Sequence, residues 1–232
     1  MTAFRNFSPF LSLVLLFLLG SPVALLGATS DHSSQAIDGP ETGISAESDL
    51  SPSETIQRLF QKINELKETL YRKGNLPTAE AQEREETEEW VATILDYEEI
   101  ARRALDRYWT TLSPKDQEHF VSLLAELIQR TSLKKLKSYS DQRITYQEER
   151  VEGDRAVLVT SVPGEELDVG VTYYMHRKKG RWLIIDLVID DISLVQNYRT
   201  QFHRIISSSS YADLVARMER RLADLRQETP QL

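Results

Sequence analysis

"RWLIIDLVIDDISLVQNYRTQF", residues 181–202, changes its period halfway along. From Arg181 to Ile189 the residues are β-branched, aromatic or aliphatic and alternate. Leu183, Ile185, Leu187 and Ile189 fall on one side, with Trp182, Ile184, Asp186 and Val188 on the other, which is the period of a strand. From Leu194 the apolar residues recur every three or four positions: Leu194, Val195, Tyr198, Phe202, Ile205 and Ile206. Gln196, Asn197, Arg199, Thr200 and Arg204 take the opposite side, as on a surface helix. Ser193, with Gln196 three residues later, is a capping box that opens this helix. A strand that ends on Asp190-Asp191 and passes straight into a capped helix predicts a helix folded back over a sheet.

Upstream, "RITYQEE" (143–149), "RAVLVTSV" (155–162) and "ELDVGVTYYMHR" (166–177) keep the period of two. The turns "EGD", "PGE" and "KKG" separate the four segments, giving an antiparallel meander. In the third strand Leu167, Val169, Val171, Tyr173 and Met175 share one face. Before the strands the period is helical. "SPSE" at Ser51 is a capped start for a stripe of Ile56, Leu59, Phe60, Ile63, Leu66 and Leu70, ended by Gly74 and Pro77. The acidic run from Thr78 to Glu89 reads as a solvated helix face that turns inward at Trp90, Val91, Ile94 and Leu95. Asp96 with Glu99 starts a helix carrying Ile100, Ala104, Leu105 and Tyr108. "SPKD" at Ser113 starts another, with Phe120, Leu123, Leu124, Leu127 and Ile128. After the serine run 207–210 comes a last helix with Leu214, Met218, Leu222 and Leu225 inside. Helices, then strands, then helices predict an α+β fold: helices packed on one face of a curved four-stranded antiparallel sheet, in a single domain over residues 51–226, with a flexible end at 227–232.

The first 28 residues carry a single charge, Arg5, ahead of an apolar core (Phe10–Leu19) and a small residue, Ala28. That is the layout of a cleaved signal peptide, and its core is shorter than the roughly 20 residues a membrane span needs. Residues 29–50, rich in Ser, Gly and Asp, read as a disordered tether. Removing the leader leaves 27 basic against 36 acidic side chains, a net of −9. Such a balance argues against nucleic acid or an anionic membrane surface as the main partner. The chain has no cysteine, so thiolate catalysis and thiolate metal sites are ruled out, and stability in an oxidising compartment rests on burial alone.

Catalytic patterns are scarce. His32, His119, His176 and His203 sit in different elements without metal-ligand spacing, and no phosphate-binding glycine loop or nucleophile elbow occurs. One enzyme reading stands: Asp186, inside an otherwise apolar strand, as a general base of a cone-shaped isomerase, with Tyr173 or Tyr108 polarising a carbonyl. The plainer reading has Asp186 facing outward and paired with an Arg or Lys. A second feature is the number of aromatic and Met side chains on buried stripes (Tyr108, Trp109, Phe120, Tyr173, Met175, Tyr198, Phe202), which serve either as core or as the wall of an apolar cavity.

Several segments, in order, resemble a known family. "DYEEIARRALDRYWTTLSPKDQEHFVSLLAELIQRTSLKKLKSYSD" and "YYMHRKKGRWLIIDLVIDDISLVQNYRTQFHRIISSSSYADLVARM" are similar to the MlaC family of toluene-tolerance or phospholipid-binding auxiliary proteins. The likeness lies in Tyr108-Trp109 before a Ser-Pro-x5-Phe helix, and in Gly-x-Trp-strand-Ser-Leu-x-x-Asn-Tyr-Arg-x-x-Phe, and it covers residues 51–221. Thr131-Ser132 departs from the family's Thr-Tyr. The resemblance implies a cystatin-like or nuclear-transport-factor-like fold with a lipid cavity. It implies a soluble periplasmic phospholipid carrier without covalent chemistry or cofactor, working between outer- and inner-membrane complexes to maintain lipid asymmetry. Its partners would be the MCE-domain ring of an inner-membrane ABC transporter and an outer-membrane lipoprotein complex. A carrier for hopanoids or another lipid is the alternative. Tyr108, Phe120, Leu124, Leu127, Val171, Tyr173, Met175, Tyr198 and Phe202 are the candidate acyl-chain wall.

Overall fold

The Ser and Asp caps set where the helices start. In a computed structural model, which describes residues 50–71, 92–136, 144–162 and 168–228, helix α1 is Pro52–Tyr71. Its capping box is complete: Ser51 Oγ accepts from Glu54 N at 3.2 Å while Ser51 N donates to Glu54 Oε2 at 2.7 Å. Helix α2 (Tyr97–Leu105) runs into a 3-10 segment (Asp106–Thr111), followed by α3 (Pro114–Leu136). Ser113 caps α3, accepting from Asp116 N at 3.2 Å. At α2 only half of the predicted box forms. Asp96 Oδ1 accepts from Glu99 N at 3.0 Å. Asp96 N, however, donates to Ile184 O, and the Glu99 carboxylate instead holds Arg102 and Arg103.

Five strands follow in one antiparallel sheet, in chain order: β1 Thr145–Glu152, β2 Arg155–Val162, β3 Val169–Lys178, β4 Arg181–Ile189 and β5 Ile192–Ser193. Two points correct the sequence reading. First, Asp190 and Asp191 do not merely end a strand. Both take left-handed φ values, 46° and 66°, as in a two-residue hairpin turn. The chain then pairs back through Ile192 with Ile189 and Ser193 with Val188 before α4 (Leu194–Ser208) begins. A two-residue strand is too short to leave a periodic signal.

Second, β4 changes phase. Tyr174 pairs with Asp186, but Met175 pairs with Ile184, so Ile185 is the extra residue of a bulge. Cross-strand partners share a face, so Trp182 and Ile184 lie with Leu187 and Ile189. The predicted grouping of Leu183 and Ile185 with Leu187 and Ile189 does not hold. Almost every residue of β4 is apolar, so nothing in the pattern marks the slip.

The buried face carries Ala156, Leu158, Val171, Tyr173, Met175 and Ile184, and Ile56 and Leu59 of α1 together with Ile94 pack on it. The outer edge of β4 is sealed by the segment before α2: Ile184 N donates to Ile94 O at 2.8 Å and Asp96 N to Ile184 O at 2.9 Å. The opposite edge strand, β1, is exposed over most of its length and carries Glu148, Glu149, Arg150 and Glu152. A second core joins α2, α3, α4 and α5 (Tyr211–Glu228), with Phe120, Leu124, Leu127, Phe202, Leu214 and Met218 fully buried. Each such side chain contributes about 1.5–3 kcal/mol. Leu95 and Leu187 pack against both cores. Among the described residues no helix is long and apolar enough to cross a membrane. The leader, tether, acidic run and C-terminal end read from the sequence lie outside the described residues, except for residue 50 at the tether's end and residues 227–228.

Candidate functional site

The nine candidate wall residues separate into two groups. Phe120, Leu124, Leu127, Tyr198 and Phe202 lie in the helical core with Tyr108 packed on it, and Val171, Tyr173 and Met175 lie in the sheet core. In the helical group the rings pack on one another. Phe202 stacks on Tyr198 at 5.5 Å and meets Phe120 edge-on at 5.5 Å, and Phe120 lies 6.1 Å from Tyr211. In the sheet group the Tyr173 ring is buried, and the neighbouring buried Thr160 donates its Oγ1 to Val171 O at 3.1 Å. Burial pushes the Tyr173 and Tyr198 phenols above their ordinary range, so both remain neutral. The pattern did not single out Leu95 and Leu187, the residues that join the two groups. Leu187 looked like one core residue among four on its strand.

Asp186 is fully engaged in structure. Its Oδ1 accepts from Leu187 N at 2.8 Å and Val195 N at 3.0 Å, and its Oδ2 accepts from Ser193 Oγ at 2.6 Å. Ser193 Oγ in turn accepts from Gln196 N at 3.0 Å. The carboxylate therefore anchors the first turn of α4 to β4, where the backbone N–H groups and the helix dipole favour negative charge. Among the described residues it pairs with neither Arg nor Lys, in contrast to the plainer sequence reading, and both of its oxygens already accept hydrogen bonds.

Asp96, unlike the part-buried Asp186, is a buried carboxylate, with its side chain 4% exposed. Besides capping α2, its Oδ2 lies 2.9 Å from both Lys178 Nζ and His176 Nε2. Burial pushes this carboxyl up, but the bonds from Lys178, the Glu99 amide and His176 outweigh it and hold it below the usual range.

The junction of α2 and the 3-10 segment is strained. Asp106 has φ 51° and ψ −117°, the first corner of a type II′ turn, a conformation that costs a non-glycine residue about 1–3 kcal/mol. Two side chains one turn apart on α4 hold it: Arg199 Nη2 pairs with Asp106 Oδ2, and His203 Nε2 donates to Leu105 O at 3.0 Å. His203 also meets the Tyr108 ring edge-on at 4.8 Å, and the Arg107 guanidinium lies 5.0 Å over that ring. No residue of the 3-10 segment is fully buried. Tyr108, Trp109 and Leu112 rest half-buried on the helical core. Neither the strain nor the two side chains that oppose it left a mark in the sequence pattern.

Comparison with known proteins gives two findings. A family model described as "MlaC protein" matches residues 55–220. Among solved structures, the chain is similar to a phospholipid-binding protein from Ralstonia solanacearum, determined in complex with a phospholipid. The TM-score is 0.60 at 21% identity, over 78% of this chain and 99% of that one, so the likeness is one of fold. No curated protein matches the chain.

Proposed function

We propose that this chain, which belongs to the MlaC family, is a periplasmic phospholipid carrier that encloses the acyl chains and leaves the head group in water. The family match over residues 55–220 carries this reading, and the fold it shares with a phospholipid-binding protein supports it. Two acyl chains contain on the order of 30 methylenes, and exposing them to water costs about 0.8 kcal/mol each, more than 20 kcal/mol together. A protein moving such a molecule through water needs a long apolar slot and no reactive group.

The boundary between the two cores, where Leu95 and Leu187 touch both, is the position we assign to that slot. Val171, Tyr173 and Met175 line one side and the helical candidates the other. In this reading the protein is exported by its leader. It exchanges lipid with the MCE-domain ring of an inner-membrane ABC transporter and with an outer-membrane lipoprotein complex. The engagement of Asp186 in anchoring α4 speaks for carriage rather than isomerase chemistry.

Extraction of the purified protein followed by mass spectrometry is expected to return phospholipid. Protein that is free of lipid and takes none from liposomes would overturn the reading. Recovery of a polycyclic lipid instead would shift the cargo to the hopanoid class.

A further inference from the structure

We propose that Asp106–Leu112 is a hinged cover over the helical core, latched by Arg199 and His203, and that it lifts to admit and release acyl chains. The proposal rests on the carrier reading and adds to it where and how the slot opens. Four observations carry it. The hinge is sharp: Ile100, Ala101, Ala104 and Leu105 are all 0% exposed, whereas no residue from Asp106 to Thr111 is fully buried. The hinge residue itself is held in a left-handed conformation, so the closed geometry stores strain that opening would release.

The latch is built from few and exposed contacts: besides the two side chains of α4, Gln117 Nε2 of α3 donates to Trp109 O at 2.9 Å. Arg199 and Asp106 are each 40% exposed, and water screens such a pair strongly. The His203 bond to Leu105 O is a single contact to a helix-terminal carbonyl. The strain and the latch are therefore of similar size and opposite sign. What keeps the cover down is the half-buried packing of Tyr108, Trp109 and Leu112, and an acyl chain can replace that packing with contacts of its own. Arg199 and His203 immediately follow Tyr198 and Phe202 on α4, so release of the latch would open the helical part of the proposed lining.

The absence of native cysteine permits a reversible test. In the full-length mature protein, Asp106→Cys with Arg199→Cys is bridged by a short bis-methanethiosulfonate reagent. Transfer of a fluorescent phosphatidylethanolamine between phosphatidylethanolamine–phosphatidylglycerol vesicles is then followed. The bridged protein is expected to transfer at least tenfold more slowly than the same protein after reduction. Equal rates would overturn the cover while leaving the carrier reading intact. A wild-type protein that moves no lipid would overturn the carrier reading and the cover with it. Arg199→Met supplies an independent measurement: amide exchange across residues 106–112 should rise about two- to fivefold, while exchange at Phe120–Leu127 stays unchanged. Unaltered exchange at 106–112 would refute the latch.

Discussion

Replacing Asp186 separates a structural carboxylate from a catalytic one. Asp186→Ala removes the acceptor of three hydrogen bonds, from Leu187 N, Ser193 Oγ and Val195 N. Bonds to a charged acceptor contribute about 1.5–3 kcal/mol where they are well shielded. The site is only part-buried, and the bond to Leu187 is local, so the three do not add in full. Losing a helix cap costs about 0.5–2 kcal/mol, and losing a charge at a helix N-terminus about 0.3–1. The expected loss for Ala is therefore about 2–3 kcal/mol, and a protein of this size loses about 2–4 °C in Tm per kcal/mol. Calorimetry should thus find Tm lower by about 4–12 °C. Asp186→Asn keeps one oxygen for the backbone amides and should fall by roughly half as much. Measured well below these melting points, the lipid carried per protein should equal wild type in both variants. A Tm within a degree of wild type for Asp186→Ala would refute the anchoring argument. Loss of a lipid-converting activity at unchanged Tm would revive the isomerase reading.

Other perturbations follow from the same geometry. Asp96 has a depressed folded-state pKa, so it contributes stability that is present above the unfolded carboxyl's pKa, about 3.9, and is lost as pH falls through the folded value. Wild type should therefore exceed Asp96→Asn by about 1–3 kcal/mol in urea melts at pH 7. The gap should shrink below pH about 4, and a gap that widens in acid would contradict the assignment. Leu187→Trp adds bulk where the two cores meet. It should cost about 1–3 kcal/mol through overpacking and cut co-purified phospholipid by more than half, whereas unchanged lipid content would place the slot elsewhere. Lys179 sits at φ 51° in the β3–β4 turn, where Asn is far better suited. Lys179→Asn should raise stability by up to about 1 kcal/mol in the same melts.

Much of the fold was legible because caps and periods are local signals. Ser51, Asp96, Ser113 and Ser193 each precede a helix that the structure contains, and the alternation in β3 placed Val169, Val171, Tyr173 and Met175 on the buried face. What escaped was phase and long-range bonding. The bulge at Ile185 is invisible in a run that is apolar on both sides. The capping of α4 by Asp186 joins residues nine apart across a hairpin that periodicity did not resolve. For the site, side-chain type identified buried positions, but every stripe residue looks alike from sequence. The division of nine candidates between two cores, and the role of Leu95 and Leu187 as their common members, come from tertiary packing alone.

The unequal treatment of the two sheet edges bears on how the protein behaves in company. Ile94–Asp96 and β5 occupy the flank of β4, so among the described residues the edge left without a partner strand is that of β1. A strand added there would meet a row of charged side chains, with Glu148 paired to Arg150 and Glu149 accepting from Ser53 N of α1, and a charged edge of this kind disfavours pairing with a second copy of the same strand.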